Sequence, residues 1–208
     1  MRLRRKSDTT SETLDGPGEE VEEGVQIFGP FDSGDVELED FEGIDLGSLR
    51  IIPPDGTELR LQVDEQTGEV IAVVIVGENG ALELRAFASP REGDIWSDAR
   101  REIAADTTQR GGTATETEGA FGPELTCMMP LPTEDGQSVI QPSRVIGITG
   151  PRWLLRCSLM GLPATDGALG VMWEDTIRGI VVHRGSEAMA PGEPLPLHLP
   201  PEAKRVDG

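Results

Sequence analysis

Basic side chains are scarce in this 208-residue chain: 18 Lys plus Arg stand against 38 Asp plus Glu, for a formal net charge of −20 and a pI near 4.3. Such a surface repels phosphate backbones and anionic headgroups, which argues against nonspecific binding of nucleic acid or membrane. Histidine and cysteine are scarcer still. His183, His198, Cys127 and Cys157 show no zinc-site spacing. Long apolar runs are missing as well, because the longest, Val70 to Val76, falls far short of the ~20 residues that cross a bilayer. A secretory start is not expected either: the basic stretch Met1 to Lys6 leads into polar Ser7 to Gly16, where a signal peptide needs its apolar core. The expectation is a soluble cytoplasmic protein with reduced, buried cysteines, a cross-strand disulfide being the alternative.

What is present is unevenly spread. Residues 1–7 hold four bases and no acid, Asp8 to Asp45 hold 14 acids and no base, and residues 46–208 hold 24 acids and 14 bases. The stretch from Ser11 to Gly24 offers only Leu14 and Val21 as sizeable apolar residues, too little burial to offset the entropy of ordering it. Residues 1–24 therefore read as a disordered arm, basic and then acidic. Residues 25–50 read as an irregular docking strap, 51–189 as the folded domain, and 190–208 as a proline-rich strap and tail.

Within the domain, Leu59, Leu61 and Val63 alternate with polar neighbours, the period-two pattern of a half-buried strand. The β-branched run Val70 to Val76 suits a central strand. Asn79-Gly80 then turns the chain into a third strand, Ala81 to Ala88. Asp94 caps an amphipathic helix from Ile95 to about Arg110, closed by Gly111-Gly112, and Asp166 caps a second through Arg178, closed by Gly179. A hairpin is expected from Thr113 to Pro130, a polar loop from Thr133 to Ser143, and a strand pair at Arg144–Thr149 and Arg152–Met160. Ile180 to His183 is the last strand. The economical architecture is α+β: a single antiparallel sheet of about six strands with two helices packed on one face.

Catalytic chemistry finds little footing in these residues. Cys157 alternates with core positions and has no evident base, and His183 follows three apolar residues. The acids from Asp32 to Asp45 lack the order of a calcium loop, and Gly147-x-x-Gly150 precedes a strand and a proline, unlike a phosphate-binding loop. No catalytic residue, metal or cofactor is assigned. The remaining candidates are Arg152, Arg156 and Arg184, whose planar guanidinium groups suit carboxylate or phosphate, with Trp153 beside them. On an extended strand Arg152 and Arg156 share a face, about 13 Å apart. The competing reading pairs these arginines with the protein's own acids.

Several separated motifs carry a resemblance: Gly150-Pro151-Arg152-Trp153-Leu154-Leu155-Arg156, Ile44-Asp45-Leu46-Gly47-Ser48-Leu49-Arg50, Gly122-Pro123-Glu124-Leu125 and Leu195-Pro196-Leu197-His198-Leu199-Pro200. Over roughly residues 26–200 the chain resembles an actinobacterial family of unknown function, and 16 arginines against two lysines suit a high-GC source. The resemblance implies no reaction, cofactor or site residue. The leading expectation is a non-enzymatic adaptor or protein-interaction module with an unidentified protein partner, its oligomeric state open. The competing class is an enzyme or binder of a small anionic ligand on the Arg152/Arg156 face, with Trp96, Trp153 or Trp173 walling a pocket. A third reading has the acidic arm mimic nucleic acid.

Overall fold

The computed structural model describes residues 29–39, 41–133 and 135–200. The arm expected at 1–24, the start of the strap at 25–28 and the tail from 201 onward lie outside these. Three short strands come first, β1 (Phe31–Asp32), β2 (Ile44–Asp45) and β3 (Leu49–Ile51). The meander follows where the alternation puts it, as β4 (Glu58–Val63), β5 (Val70–Val76) and β6 (Gly80–Ala88). Helix α1 (Ile95–Gln109) starts at Asp94, whose carboxylate accepts from the amides of Trp96 and Ser97. Then come β7 (Thr113–Gly119), β8 (Gly122–Pro132), β9 (Ser138–Gly150) and β10 (Trp153–Gly161). A 3-10 turn at Leu162–Ala164 leads to α2 (Gly167–Arg178), capped by Asp166, and to β11 (Val181–Val182).

These strands make two sheets, which corrects the single six-stranded sheet. Seven strands pair antiparallel in the order β4-β5-β6-β10-β9-β8-β7, and four short ones pair as β1-β11-β3-β2, with β1 and β11 parallel. Strands of two or three residues are too short to show any period, so alternation cannot reveal the smaller sheet. The polar loop from Thr133 to Ser143 is also corrected. Ser138 to Pro142 pair with Met128 to Pro132, so β8 and β9 run on as a two-stranded ribbon past the point where β10 leaves the sheet. Main-chain hydrogen bonds hold that ribbon, and they leave no trace in side-chain polarity.

The helices do not share a face, which corrects the remaining part of that architecture. Successive residues of a strand point to opposite sides. On β10, Trp153, Leu155, Cys157 and Leu159 enter the larger core with Trp173 and Ile177 of α2, whereas Leu154 joins Trp96 of α1, Leu125, Cys127 and Val145. The large sheet is therefore the middle layer, with α1 on one side and α2 with the small sheet on the other. Leu46, Leu49, Ile51, Ile180 and Val182 bring the small sheet into the larger core. The segment after Ala190 completes it. The Leu195 amide donates to Ala86 at 2.8 Å and that of Ala88 to Glu193 at 2.8 Å, so this segment lines the end of β6 beyond its pairing with β5. Leu197 bridges Gly47 and Val70 and ties the sheets together.

Candidate functional site

The hairpin between β9 and β10 has only Pro151 and Arg152 between the paired residues Gly150 and Trp153. Two-residue hairpins favour turns with φ > 0 at the first central position. Proline fixes that angle near −65° and forbids them. The reversal falls on Arg152, at φ 63°, the one non-glycine residue with positive φ among those described. That position of the turn normally takes glycine. The Arg152 carbonyl is gripped twice, by the Ser89 amide at 2.9 Å and by Nε of Arg184 at 3.2 Å. Arg184 is 9% exposed, and its Nη1 also donates to the Glu187 carbonyl at 3.3 Å. Trp153 is buried in the larger core, its ring lies over Gly150, and its Nε1 donates to Asp32 at 2.8 Å.

Three of the four residues singled out in the sequence thus meet at one corner, Arg152 and Arg184 through a carbonyl and Trp153 as the wall behind them. Arg156 does not join them. It lies on the α1 side of the sheet, directly opposite Arg85 of β6. Its guanidinium sits 5.2 Å over Phe87 and 3.8 Å from the Glu83 carboxylate, which Arg85 also approaches at 3.1 Å. Burial, and then Arg85, depress the Arg156 pKa, and Glu83 offsets part of this. The expected pairing of Arg152 with Arg156 on one face fails because Arg152 belongs to the turn and lies outside the ladder. Sequence reasoning passed over Asp32, Ser89 and Arg85. One signal was there to read: Pro-Arg as a two-residue hairpin loop forces φ > 0 onto the arginine.

The thiols are sequestered. Cys127 and Cys157 are both buried and unbridged, and they belong to different cores on opposite sides of the sheet. Burial pushes the Cys127 thiol up, partly opposed by the Thr107 hydroxyl, and pushes Cys157 up strongly, partly opposed by Arg156. His183 is exposed and its Nδ1 lies 2.9 Å from Ser33 Oγ. A nucleophile and base at that distance still need a third group to orient the base, and no described residue hydrogen-bonds the other ring nitrogen. Among the described residues no three His, Cys, Asp or Glu side chains gather as a metal site, and no helix is long and apolar enough to cross a membrane.

Between α2 and the sheet lies a buried ion network. Arg144 grips Glu124 with two bonds, at 2.8 and 3.0 Å, and reaches Glu174 of α2 at 3.0 Å. Burial opposes the charge, yet the two carboxylates hold the Arg144 pKa above its ordinary value. At the same end of the molecule the surface turns apolar. Val139 and Ile140 of β9, Leu162 of the 3-10 turn and Val171 and Met172 of α2 are between 44% and 60% exposed. The 3-10 turn that carries Leu162 packs against both β9 and α2, the two elements that bear the other exposed apolar side chains. A cavity of about 370 Å³ opens nearby, lined mainly by Val76, Gly80, Ala81, Gln141 and Met160.

A family model described as "Protein of unknown function (DUF3710)" matches residues 29–206. No curated protein matches the chain.

Proposed function

The chain belongs to this family of unknown function, and from that premise we propose that it is a non-enzymatic protein-interaction module that docks a protein partner on the end formed by β9, the 3-10 turn and α2. The observation that carries the reading is the exposure of Ile140, Leu162, Val171 and Met172 on a chain of net charge −20. Large apolar side chains gathered on such a surface mark a contact that excludes water when a partner covers it. Arg144 and Glu174 anchor α2 to the sheet beneath them, so the helix is presented as a fixed surface. The buried, unbridged thiols suit a reducing compartment and support a cytoplasmic location. The arginine-rich basic complement supports the high-GC, actinobacterial source.

A photo-crosslinking residue in place of Val171, activated in the native cell, tests the reading. Discrete, saturable adducts that vanish when Leu162 and Met172 are changed to Glu support it. Adducts that are absent, or indifferent to those changes, overturn it.

A further inference from the structure

Nine of the twelve described arginines face a carboxylate within 4.0 Å: Arg50, Arg60, Arg85, Arg100, Arg101, Arg110, Arg144, Arg156 and Arg178. The other three are Arg91, Arg152 and Arg184, and they belong to one corner. Arg184 and the Ser89 amide both donate to the Arg152 carbonyl, and Arg91 follows two residues after Ser89. The nearby acids are otherwise engaged or turned to water. Asp32 accepts from Trp153 and from the Gly34 amide, Glu193 accepts from the Ala190 amide, and Glu92 and Glu187 are exposed.

Two further features single out the corner. Arg152 holds a left-handed backbone conformation that is unfavourable for a residue with a Cβ, and no described group pairs with its guanidinium. Such strain persists where something else over-determines it, and it gathers at binding sites. The buried Ser89, on the same carbonyl, has a hydroxyl without a hydrogen-bond partner among the described residues.

We propose that Arg152 and Arg91, backed by Arg184, form a recognition site for a carboxylate-bearing acidic peptide segment of a partner. Arg152 supplies the planar fork that a carboxylate meets with two parallel bonds. Arg184 fixes the turn that aims it, as a positioning residue. The two outer cations stand on separate loops, the Pro90–Asp94 segment and the β9–β10 turn, which suits an extended chain carrying several carboxylates. The inference is independent of the apolar end: the corner lies at the β9–β10 turn, and the apolar end lies at the opposite end of β10, beside Leu162.

The probe is a fluorescein-labelled hexaglutamate peptide titrated into the full chain, with hexaglutamine as reference. Binding to hexaglutamate alone is expected, weakened about tenfold by Arg152→Gln, as the loss of a charge-assisted pair implies, and less by Arg91→Gln. Arg156→Gln, which sits further along β10 over Phe87 and outside this corner, leaves it unchanged. Arg152→Gly separates function from folding: it relieves the backbone strain, so the melting temperature rises while binding falls as in Arg152→Gln. A full-length variant with the seven acids from Asp8 to Glu23 changed to Asn or Gln identifies the source. Equal affinity supports a segment supplied by a partner, and affinity that is raised even at about 0.5 M sodium chloride, where the lost long-range repulsion is screened, shows the chain's own acids competing for the site and overturns the assignment to a partner. The proposal is overturned if neither chain prefers hexaglutamate, if Arg156→Gln is as damaging as Arg152→Gln, or if Arg152→Gly lowers the melting temperature.

Discussion

Arg144 shows how far a single side chain governs this protein. Glu124 is 4% exposed, and a carboxylate buried to that degree survives only with its charge answered. Removing one partner of such a pair leaves the other stranded, at a cost of about 3–5 kcal/mol. Arg144→Met is therefore expected to lower the urea unfolding free energy by that amount. The double variant Arg144→Met/Glu124→Gln should recover part of the loss, because the more deeply buried carboxylate is then neutral and Glu174 still has Arg178 at 3.5 Å. Equal destabilisation in the single and double variants would show that the arginine acts by packing alone. None of this was legible beforehand. Glu124 reads as one more acid in an acidic chain, and only the register of β8 against β9, which sets Thr126 opposite Arg144, brings Glu124 and Arg144 onto the side that α2 covers. Arg156 makes the same point in reverse: its strand position was readable, but its neighbour Arg85 was not.

Elements were more legible than their arrangement. The meander β4 to β6 and both helix starts follow from alternation, from Asn79-Gly80 and from the Asp94 and Asp166 caps, all of which act within a few residues along the chain. Which side of the sheet each helix occupies depends on contacts between residues far apart in sequence. Gly147 is an example, since a methyl group there would overlap the Trp96 ring of α1. Gly147→Ala is expected to lift α1 from the sheet locally, destabilising the protein by about 1–3 kcal/mol as overpacking does. Hydrogen exchange should then accelerate in α1 while α2, on the other side, keeps its protection. Faster exchange in both helices alike would mean that the layers unfold as one unit.

At the scale of the whole molecule the charge of −20 sets the energetics between the layers and the solvent. Self-repulsion among acids that outnumber bases by about two to one works against the compact state, and salt screens it over about 10 Å at 0.1 M. The melting temperature should rise between about 0.05 and 0.5 M sodium chloride. A fall would mean that the exposed ion pairs, Arg60–Glu58 and Arg101–Asp98 among them, outweigh the repulsion. The sequence by itself determined the charge, the family resemblance, the long strands and the helix caps, because each is written in composition or in residues close along the chain. Only the tertiary structure decided the second sheet, the sides taken by the helices, and the meeting of Arg184 with the Arg152 carbonyl beside the loop that carries Arg91. These depend on main-chain pairing and on strand register, where one residue of slip exchanges the two faces of a sheet and no side-chain pattern in two-residue strands records the choice.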